Sequence, residues 1–498
     1  MTERLHRLLT PLLVTVLAAG LGWVARPTPP RLGPHTTGDT TLAELVRAGL
    51  PDPTGHRGLA VAVIDGDTVQ FAGLGDRGDG HAVDEHTPFE IGSVGKALTG
   101  MLLADLAEEG IVDPEEPLRA VLPEIAFRHS ATADVTLAEL ASHRSGLPRL
   151  WFAHWWEPVA VILRPLAGRD PYAGQDTRWL RYSLGGARAR GGEPTVAYSN
   201  YGMAVLGYAL AARTGVPYPQ LVTERILQPL GMTATGFHLD GAPLPADRAY
   251  GGTGGGGQTQ PWRGSGYAPA GVGAWSNAQD LARLLAAMLA GTAPGADAAT
   301  PRFPAGPDQW IGYGWFTDRV DGREVTWHNG GTGGFSAWVG FDRGAGRGVV
   351  VLGNTDQEVD PLGWWLLQAT DPAGTSAAGE VPGPATDWRA WLLTGMLCLA
   401  GGIGLLTVAV RTHVDRLRLV SSGVWAGVLP ALAYPAGGWH EVPPALWVVG
   451  VGLPAGAGAL AVRRWPTVPA RQGAAWWRWA STVGSVLLAA AGLVWVYR

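Results

Sequence analysis

The chain has 498 residues, of which 46% are hydrophobic and only 16% are charged. Residues 389–498 hold nine Arg and two acidic residues, whereas the rest of the chain has 28 basic and 40 acidic residues, a net charge of −12. This acidic balance argues against a surface that binds polyanions, so we expect no nucleic-acid partner. The single cysteine, Cys398, excludes an internal disulfide framework and any cysteine-rich zinc site, and we expect neither a metal nor another cofactor.

Residues 1–30 have the pattern of an export signal. Arg4 and Arg7 precede an apolar stretch over residues 8–25, and a proline-rich segment follows Arg26. Such a segment is either a cleaved signal peptide or a retained signal anchor. Both interpretations send the following chain to the outer side of the membrane.

Residues 40–370 have the pattern of a soluble domain. Two β-rich runs, residues 59–64 and 68–73, flank Asp65-Gly66 and predict a hairpin. Apolar spacing predicts a helix over 94–109 that ends at Gly110. Near the far end, residues 324–328, 335–341 and 348–352 predict strands, and a helix follows over 361–369. Because strands come from both ends, we expect an α/β (α+β) domain: one antiparallel sheet flanked by helices, with a helical insertion. The glycine run 251–257 lacks a following Gly-Lys-Ser/Thr and indicates a flexible loop, not a phosphate cradle.

An Ala-, Gly- and Pro-rich linker at 371–388 leads into an apolar tail. Four stretches, near residues 391–410, 419–434, 445–462 and 479–497, each approach the ~20 residues that cross a bilayer. We therefore predict a C-terminal all-α membrane domain at 389–498 with about four transmembrane helices. Arginines cluster between the first and second stretches and between the third and fourth, whereas the middle loop carries Glu441. This alternation predicts cytoplasmic Arg-rich loops, an extracytoplasmic soluble domain and a multi-pass protein of the cell membrane. The alternative is a set of buried core helices in a soluble protein.

Ser93 and Lys96 lie three residues apart at the start of a predicted helix, where their side chains share a face. A serine hydroxyl is a weak nucleophile until a neighbouring base takes its proton, and a desolvated lysine amine is such a base. Lys96 is the only lysine among 37 basic residues. The bare spacing is common by chance, but a sole lysine at this point indicates chemistry that requires an amine able to lose its proton.

Two further motifs carry polar groups suited to catalysis. Tyr198 and Asn200 project to the same side of a turn, as a proton-transferring phenol and an amide that holds the lysine or a carbonyl, although an ordinary polar turn has the same sequence. His328 ends a predicted strand and precedes a glycine-rich bend, where backbone N–H groups approach a carbonyl. A buried structural histidine is the alternative.

In this chain order the three motifs resemble the serine β-lactamase and penicillin-binding-protein superfamily, and within it the class C-like branch of DD-peptidases and esterases. Further landmarks agree: His-Arg-Ser-Gly-Leu at 143–147, Gln-Pro-Leu-Gly-Met at 228–232, Pro-Ala-Gly-Val-Gly at 269–273 and Tyr-Gly-Trp at 313–315. The resemblance covers about residues 40–370 and implies a β-lactamase/transpeptidase-like fold. The tail lies outside it.

The resemblance also implies a role for each matched residue. Ser93 would form the acyl-enzyme, and Lys96 and Tyr198 would share the proton transfers. Asn200 would orient the amine and the substrate. Substrate binding would also involve His328, Asn329 and Gly330, and the backbone N–H groups of Ser93 and Gly331 would form the oxyanion hole. Asn329 stands where a hydroxyl residue is common, which argues against tight binding of a penicillin-type carboxylate.

The leading interpretation is a membrane-anchored extracytoplasmic serine hydrolase that cleaves a small-molecule, peptide or ester substrate, including cell-wall-derived ones. Esterase or D-amino-acid peptidase activity is favoured over β-lactamase activity. The alternative is a sensor or accessory membrane protein whose soluble domain binds a ligand or is acylated by it. Fast deacylation would favour the enzyme, and a long-lived acyl adduct would favour the sensor.

Overall fold

A computed structural model describes residues 2–191, 195–369, 388–470 and 476–497. The chain divides into two compact units. One comprises Arg31–Thr253 and Gln258–Gly383, and the other comprises Met1–Pro30, Gly254–Gly257 and Pro384–Arg498. The linker predicted at 371–388 lies outside the described residues, apart from the residue at its end.

The described residues form the following elements. In chain order the strands are β1 (Thr36–Gly38), β2 (Gly58–Asp65), β3 (Thr68–Gly75), β4 (Phe89–Glu90), β5 (Gly236–Phe237), β6 (Ala274–Ser276), β7 (Phe303–Gly306), β8 (Gln309–Ile311), β9 (Phe316–Val320), β10 (Arg323–Gly331), β11 (Ser336–Asp342) and β12 (Arg347–Gly353). The α-helices are α1 (Thr2–Val24), α2 (Thr40–Ala48), α3 (Gly95–Glu108), α4 (Leu118–Val121), α5 (Ser130–Ala133), α6 (Leu137–Ala141), α7 (Glu157–Leu166), α8 (Thr177–Gly186), α9 (Asn200–Thr214), α10 (Tyr218–Val222), α11 (Ala278–Ala290), α12 (Asp360–Ala369), α13 (Trp388–Val410), α14 (Arg416–Ala436), α15 (Pro444–Arg464) and α16 (Trp477–Tyr497). Short 3-10 helices occur at Gly92–Val94, Ser265–Ala270, Ala296–Ala299 and Trp465–Thr467, and a π-helical turn at Thr223–Leu227.

The larger unit is built on an antiparallel sheet with the strand order β1-β3-β2-β12-β11-β10-β9-β8-β7. The predicted hairpin is confirmed, because β2 and β3 pair in register from Asp65 opposite Thr68. β2 also pairs with β12, so the two ends of the domain meet in the centre of the sheet. The helices between β3 and β7 form the predicted insertion.

Both faces of the central strands are buried, which explains their continuous apolar sequence. On β2, Ala60, Ala62 and Ile64 face the core that includes α3, α9 and α11, whereas alternate residues from Leu59 to Val63 face α2 and α12. Full burial of an aliphatic side chain stabilises a fold by about 1.5–3 kcal/mol. Burial of alternating side chains on both faces therefore stabilises the central part of the sheet.

Three local features differ from the predictions. β10 continues to Gly331, three residues beyond the predicted end at His328. The helix predicted from residue 94 is preceded by the 3-10 turn Gly92–Val94, which carries Ser93. The small sheet β4-β6-β5 was not predicted, because its strands have only two or three residues each and show no alternation.

The other unit consists of helices. α13, α14 and the stretch Pro444–Thr467 are long and apolar enough to cross a membrane, by length and composition. The fourth predicted segment also forms a helix, α16, which is apolar over Trp479–Val494, and α1 is apolar over Leu9–Val24. Within this unit α1 packs against α15, and the indole N–H of Trp447 donates to the Gly22 carbonyl at 3.0 Å.

Candidate active site

The site forms where β10 extends past its neighbour. β9 pairs only with residues 323–327 of β10, so residues 328–331 have a free edge on that side. The turn Gly92–Val94 packs there, backbone against backbone. Gly92 has φ +50°, and a Cβ on it would lie 2.9 Å from the Gly331 nitrogen. Gly330 is constrained in the same way, because a Cβ there would collide with the Ile91 carbonyl oxygen. The sequence therefore brings the Ser93 backbone close to that of Gly331.

Ser93 and Lys96 form a close pair. Lys96 Nζ lies 2.7 Å from Ser93 Oγ and donates a second hydrogen bond to the Ala270 carbonyl, also at 2.7 Å. Lys96 is fully buried, whereas Ser93 is only half-buried. The Lys96 amine is therefore in hydrogen-bond contact with a hydroxyl that a substrate from solvent is able to reach.

The electrostatic setting of Lys96 favours its neutral form. Burial lowers the pKa of the Lys96 amine well below its ordinary value, and the positive charge of Arg149 lowers it further. Among the described residues, no acidic side chain forms an ion pair with this amine to oppose the shift. A neutral amine has a lone pair, so Lys96 is suited to accept the proton of Ser93.

Tyr198, from the second sequence motif, lies in the same site. The Lys96 amine lies 5.0 Å from the centre of the Tyr198 ring. Burial raises the pKa of Tyr198 to about 12, and its interaction with the Ser93 hydroxyl opposes the rise. The phenol therefore remains protonated at neutral pH, as a proton donor.

Asn200 lies at the start of α9, where Ser199 caps the helix by accepting from the Gly202 N–H at 2.8 Å. The Asn200 amide nitrogen donates to the Tyr172 hydroxyl at 3.1 Å, and its buried side-chain oxygen has no hydrogen-bond partner among the described residues. The structure does not bring this amide to the Lys96 amine, whose acceptor is Ala270 instead. The Asn200 oxygen remains available to a donor on a substrate.

His328 is fully buried on β10, and its ring centre lies 6.4 Å from that of Tyr198. Burial lowers the pKa of His328 to about 3, with a further contribution from Lys96 when that amine is protonated, so the ring is neutral at neutral pH. Its Nδ1 lies 2.5 Å from the Asn329 carbonyl oxygen, which requires the proton on Nδ1. In the described chain its Nε2 has no partner, leaving a buried acceptor.

The residues that follow His328 on β10 differ in whether they approach Ser93. Asn329 donates to the Asp360 carboxylate, Nδ2 to Oδ2, at 2.6 Å, at the start of α12. Since successive side chains on a strand point to opposite faces, Asn329 lies on the face away from His328. Its side chain is not brought to Ser93, whereas the backbone of Gly330 and Gly331 is. The substrate-binding role of Asn329 stays a prediction.

Three residues near the site were not identified as functional from the sequence. His143 (φ +56°) accepts the Ser199 N–H on Nδ1 at 3.3 Å, and its ring centre lies 4.5 Å from that of Tyr198. The Arg149 guanidinium lies 5.2 Å from the centre of the Tyr198 ring. Tyr172 contacts Asn200, as described above. Of these three, only His143 had a signal in the sequence, because it lies in the landmark at 143–147. Arg149 and Tyr172 are brought to the site by tertiary contacts.

The site brings together a serine hydroxyl, a buried amine whose neutral form is favoured, a protonated phenol and two backbone segments beside the serine. That set is sufficient for acyl transfer through a serine ester. Among the residues that the structure describes, no group of three or more His, Cys, Asp or Glu side chains is placed to hold a metal ion.

Comparison with known proteins gives consistent results. The family model described as Beta-lactamase matches residues 42–371. The chain is 32% identical over 188 residues to the D-alanyl-D-alanine-carboxypeptidase/endopeptidase AmpH of Escherichia coli K12, covering 37% of this chain and 46% of AmpH. It is 27% identical over 377 residues to the unguisins hydrolase ungD' of Aspergillus campestris, covering 71% of this chain and 68% of that protein. The octameric penicillin-binding protein homologue from Pyrococcus abyssi has a similar fold, with a TM-score of 0.55, 22% identity and coverage of 66% of this chain and 76% of that one.

Proposed function

The chain belongs to the beta-lactamase family, and we propose that it is a membrane-anchored, extracytoplasmic serine hydrolase that cleaves an ester or amide through an acyl-enzyme on Ser93. The observation that carries the proposal is the 2.7 Å contact between Ser93 Oγ and the buried Lys96 amine. The family match gives a reason to expect such a pair, and the short distance allows the amine to take the proton of the serine hydroxyl. Extracytoplasmic placement is supported by the export pattern and the alternation of charged loops.

The first half of the reaction follows from the proton states of the site. The neutral Lys96 amine takes the Ser93 proton as Oγ attacks the substrate carbonyl carbon. The Ser93 and Gly331 N–H groups hold the resulting oxyanion. The C–O or C–N bond to the leaving group then breaks. Tyr198, protonated at neutral pH, gives its proton to the leaving group and recovers one from the Lys96 ammonium.

Deacylation uses the same groups in the reverse order. Lys96 is neutral again after the first half, so it accepts a proton from the attacking water, and the ester bond to Ser93 Oγ breaks. The proton returns to Oγ. The neutral His328, with an unpartnered Nε2, is an acceptor for a substrate N–H or O–H.

Esters and D-alanyl peptides are the substrates that we propose. AmpH is named a D-alanyl-D-alanine-carboxypeptidase and endopeptidase, and the aligned stretch spans just under half of its length. In this chain Asn329 is bonded to Asp360, so its side chain is not free to take a penicillin-type carboxylate. We therefore favour esterase or D-amino-acid peptidase activity over β-lactamase activity.

The test is covalent labelling of the full chain, purified in detergent, with a fluorophosphonate probe, followed by assays with short-chain esters, D-alanyl peptides and a β-lactam. We expect labelling and turnover in the wild type and neither in Ser93→Ala, because Ser93 carries the hydroxyl that the Lys96 amine contacts. Circular dichroism would verify that the variant is folded. Labelling that persists in Ser93→Ala would remove the nucleophile assignment, and a stable acyl adduct without turnover would favour the sensor alternative.

A further inference from the structure

A buried carboxyl group beside the site has no part in the reaction described above. Glu90 lies on β4, three residues before Ser93, and only 2% of it is exposed. Its Oε1 accepts a hydrogen bond from the Trp262 backbone N–H at 2.8 Å, and its Oε2 accepts one from the Thr332 hydroxyl at 3.0 Å. A buried carboxyl group is costly unless it has such partners, so its position requires an explanation.

The two ends of the Glu90–Thr332 hydrogen bond lie on the two segments that form the oxyanion hole. Ser93 follows Glu90 by three residues, and Thr332 directly follows Gly331. Between these segments the contacts involve glycine backbone, since Gly92 approaches Gly331 and Gly330 approaches the Ile91 carbonyl. Glycines have no side chains that interlock. The hydrogen bond from the Thr332 hydroxyl to the Glu90 carboxyl group is therefore a direct side-chain link between the two segments.

We propose that Glu90 is a positioning residue that holds the backbone N–H groups of Ser93 and Gly331 at the spacing required for an oxyanion. It acts through its hydrogen bond to Thr332 and does not contact the substrate. This inference rests on the proposed function, because it assigns a role within the same site. Preorganised donors stabilise a transition state only when they are held in place, so loss of the link lowers kcat more than it raises KM.

The charge state of Glu90 adds a measurable signature. Burial raises the pKa of Glu90 to about 8; the negative charge of Asp170 contributes to the rise, and the Trp262 N–H, the Thr332 hydroxyl and Arg263 oppose it. The carboxyl group is thus mainly protonated at neutral pH. Ionisation near pH 8 places a negative charge beside the hole and disfavours the oxyanion. The wild-type kcat should therefore fall as the pH rises through this range, and a neutral isostere should abolish the fall.

The experiment compares Glu90→Gln, Glu90→Ala and Thr332→Val in the full detergent-purified chain, with kcat and KM for p-nitrophenyl butyrate measured from pH 6 to 10. Asp280→Asn is the matched control. Asp280 is also a buried carboxylate that accepts a backbone N–H, from Ala234, and a threonine hydroxyl, from Thr235, but it does not join the Ser93 and Gly331 segments. Thermal unfolding is followed for every variant.

We expect Glu90→Gln to keep kcat at pH 7 within about threefold and to lose the decline near pH 8. We expect Thr332→Val and Glu90→Ala to lower kcat about tenfold or more with little change in KM. Wild-type kcat in folded Thr332→Val would overturn the proposal, as would an equal loss in Asp280→Asn or an unaltered pH profile in Glu90→Gln. If Glu90→Ala does not fold, the kcat of Thr332→Val and the pH dependence of kcat in Glu90→Gln decide whether the proposal stands. Failure of the proposed function would look different: turnover would be absent in the wild type or retained in Ser93→Ala.

Discussion

At the scale of single residues, the proposed reaction depends on an amine that is able to lose its proton. Lys96 is buried, and burial together with the charge of Arg149 lowers its pKa well below the ordinary value, which favours the neutral amine. Lys96→Arg keeps a positive charge of similar reach but installs a guanidinium that stays protonated in proteins. We expect kcat/KM for an ester to fall by about 100-fold or more. Near-normal activity in this variant would show that the site needs only the charge, and would leave Tyr198 as the base.

Arg149 adds to the effect of burial on the pKa of that amine. Its positive charge lowers the pKa of Lys96, so replacing it with a neutral side chain raises that pKa. A base with a raised pKa is neutral only at higher pH. The acidic limb of kcat/KM in Arg149→Gln should therefore move to higher pH, with activity recovered on the alkaline side. Arg319→Gln is the control, because Arg319 is an exposed arginine paired with Glu324 on β9 and β10. An unshifted limb in Arg149→Gln would contradict this electrostatic role.

At the scale of elements, the site exists because a strand end and a 3-10 turn meet without side chains between them. A methyl group on Gly330 would collide with the Ile91 carbonyl oxygen and push β10 away from the Ser93 turn. We expect Gly330→Ala to reduce stability by about 1–3 kcal/mol and to lower kcat by about 100-fold. Urea unfolding and ester hydrolysis would measure the two effects. Gly186→Ala, where a Cβ meets open space at the end of α8, should change neither, and a similar loss there would contradict the collision argument.

The elements also show how far the sequence is informative. Apolar runs predicted β2, β3, β11 and β12 to within one or two residues at each end. In β2, β11 and β12 burial on both faces selects those side chains, whereas the first half of β3 is exposed and was placed by its hairpin turn. The sequence also placed Ser93 and Lys96 at the start of a helix. It did not predict that β10 runs on to Gly331, since glycines carry no alternation of polarity. Nor did it reveal Arg149, because its place near Tyr198 depends on a loop that is fixed by hydrogen bonds from Ser199 and Tyr201.

At the scale of the whole molecule, the helical unit bears on the fate of the N-terminal segment. α1 and α15 pack antiparallel, because Gly22 near the end of α1 contacts Trp447 and Val451 in the first half of α15, whereas Thr15 contacts Gly456 further along. Close contacts at glycine are typical of helix pairs in membranes. The topology that we predict from the alternation of Arg-rich loops also gives α1 and α15 opposite directions across the bilayer, in agreement with this packing.

We therefore predict that α1 is retained as an anchor and is not removed as a signal peptide, since its loss would expose the face of α15 on which it packs. Intact-mass measurement and N-terminal sequencing of the membrane-extracted protein should find residues before Pro27.

Protease added to spheroplasts should cut between residues 371 and 386, yet leave the catalytic domain attached through α1. The loop at 463–478 should resist digestion until the membrane is permeabilised. Release of the domain by the linker cut would contradict retention. Digestion of the 463–478 loop in intact spheroplasts, with the linker protected, would invert the topology and place Ser93 in the cytoplasm.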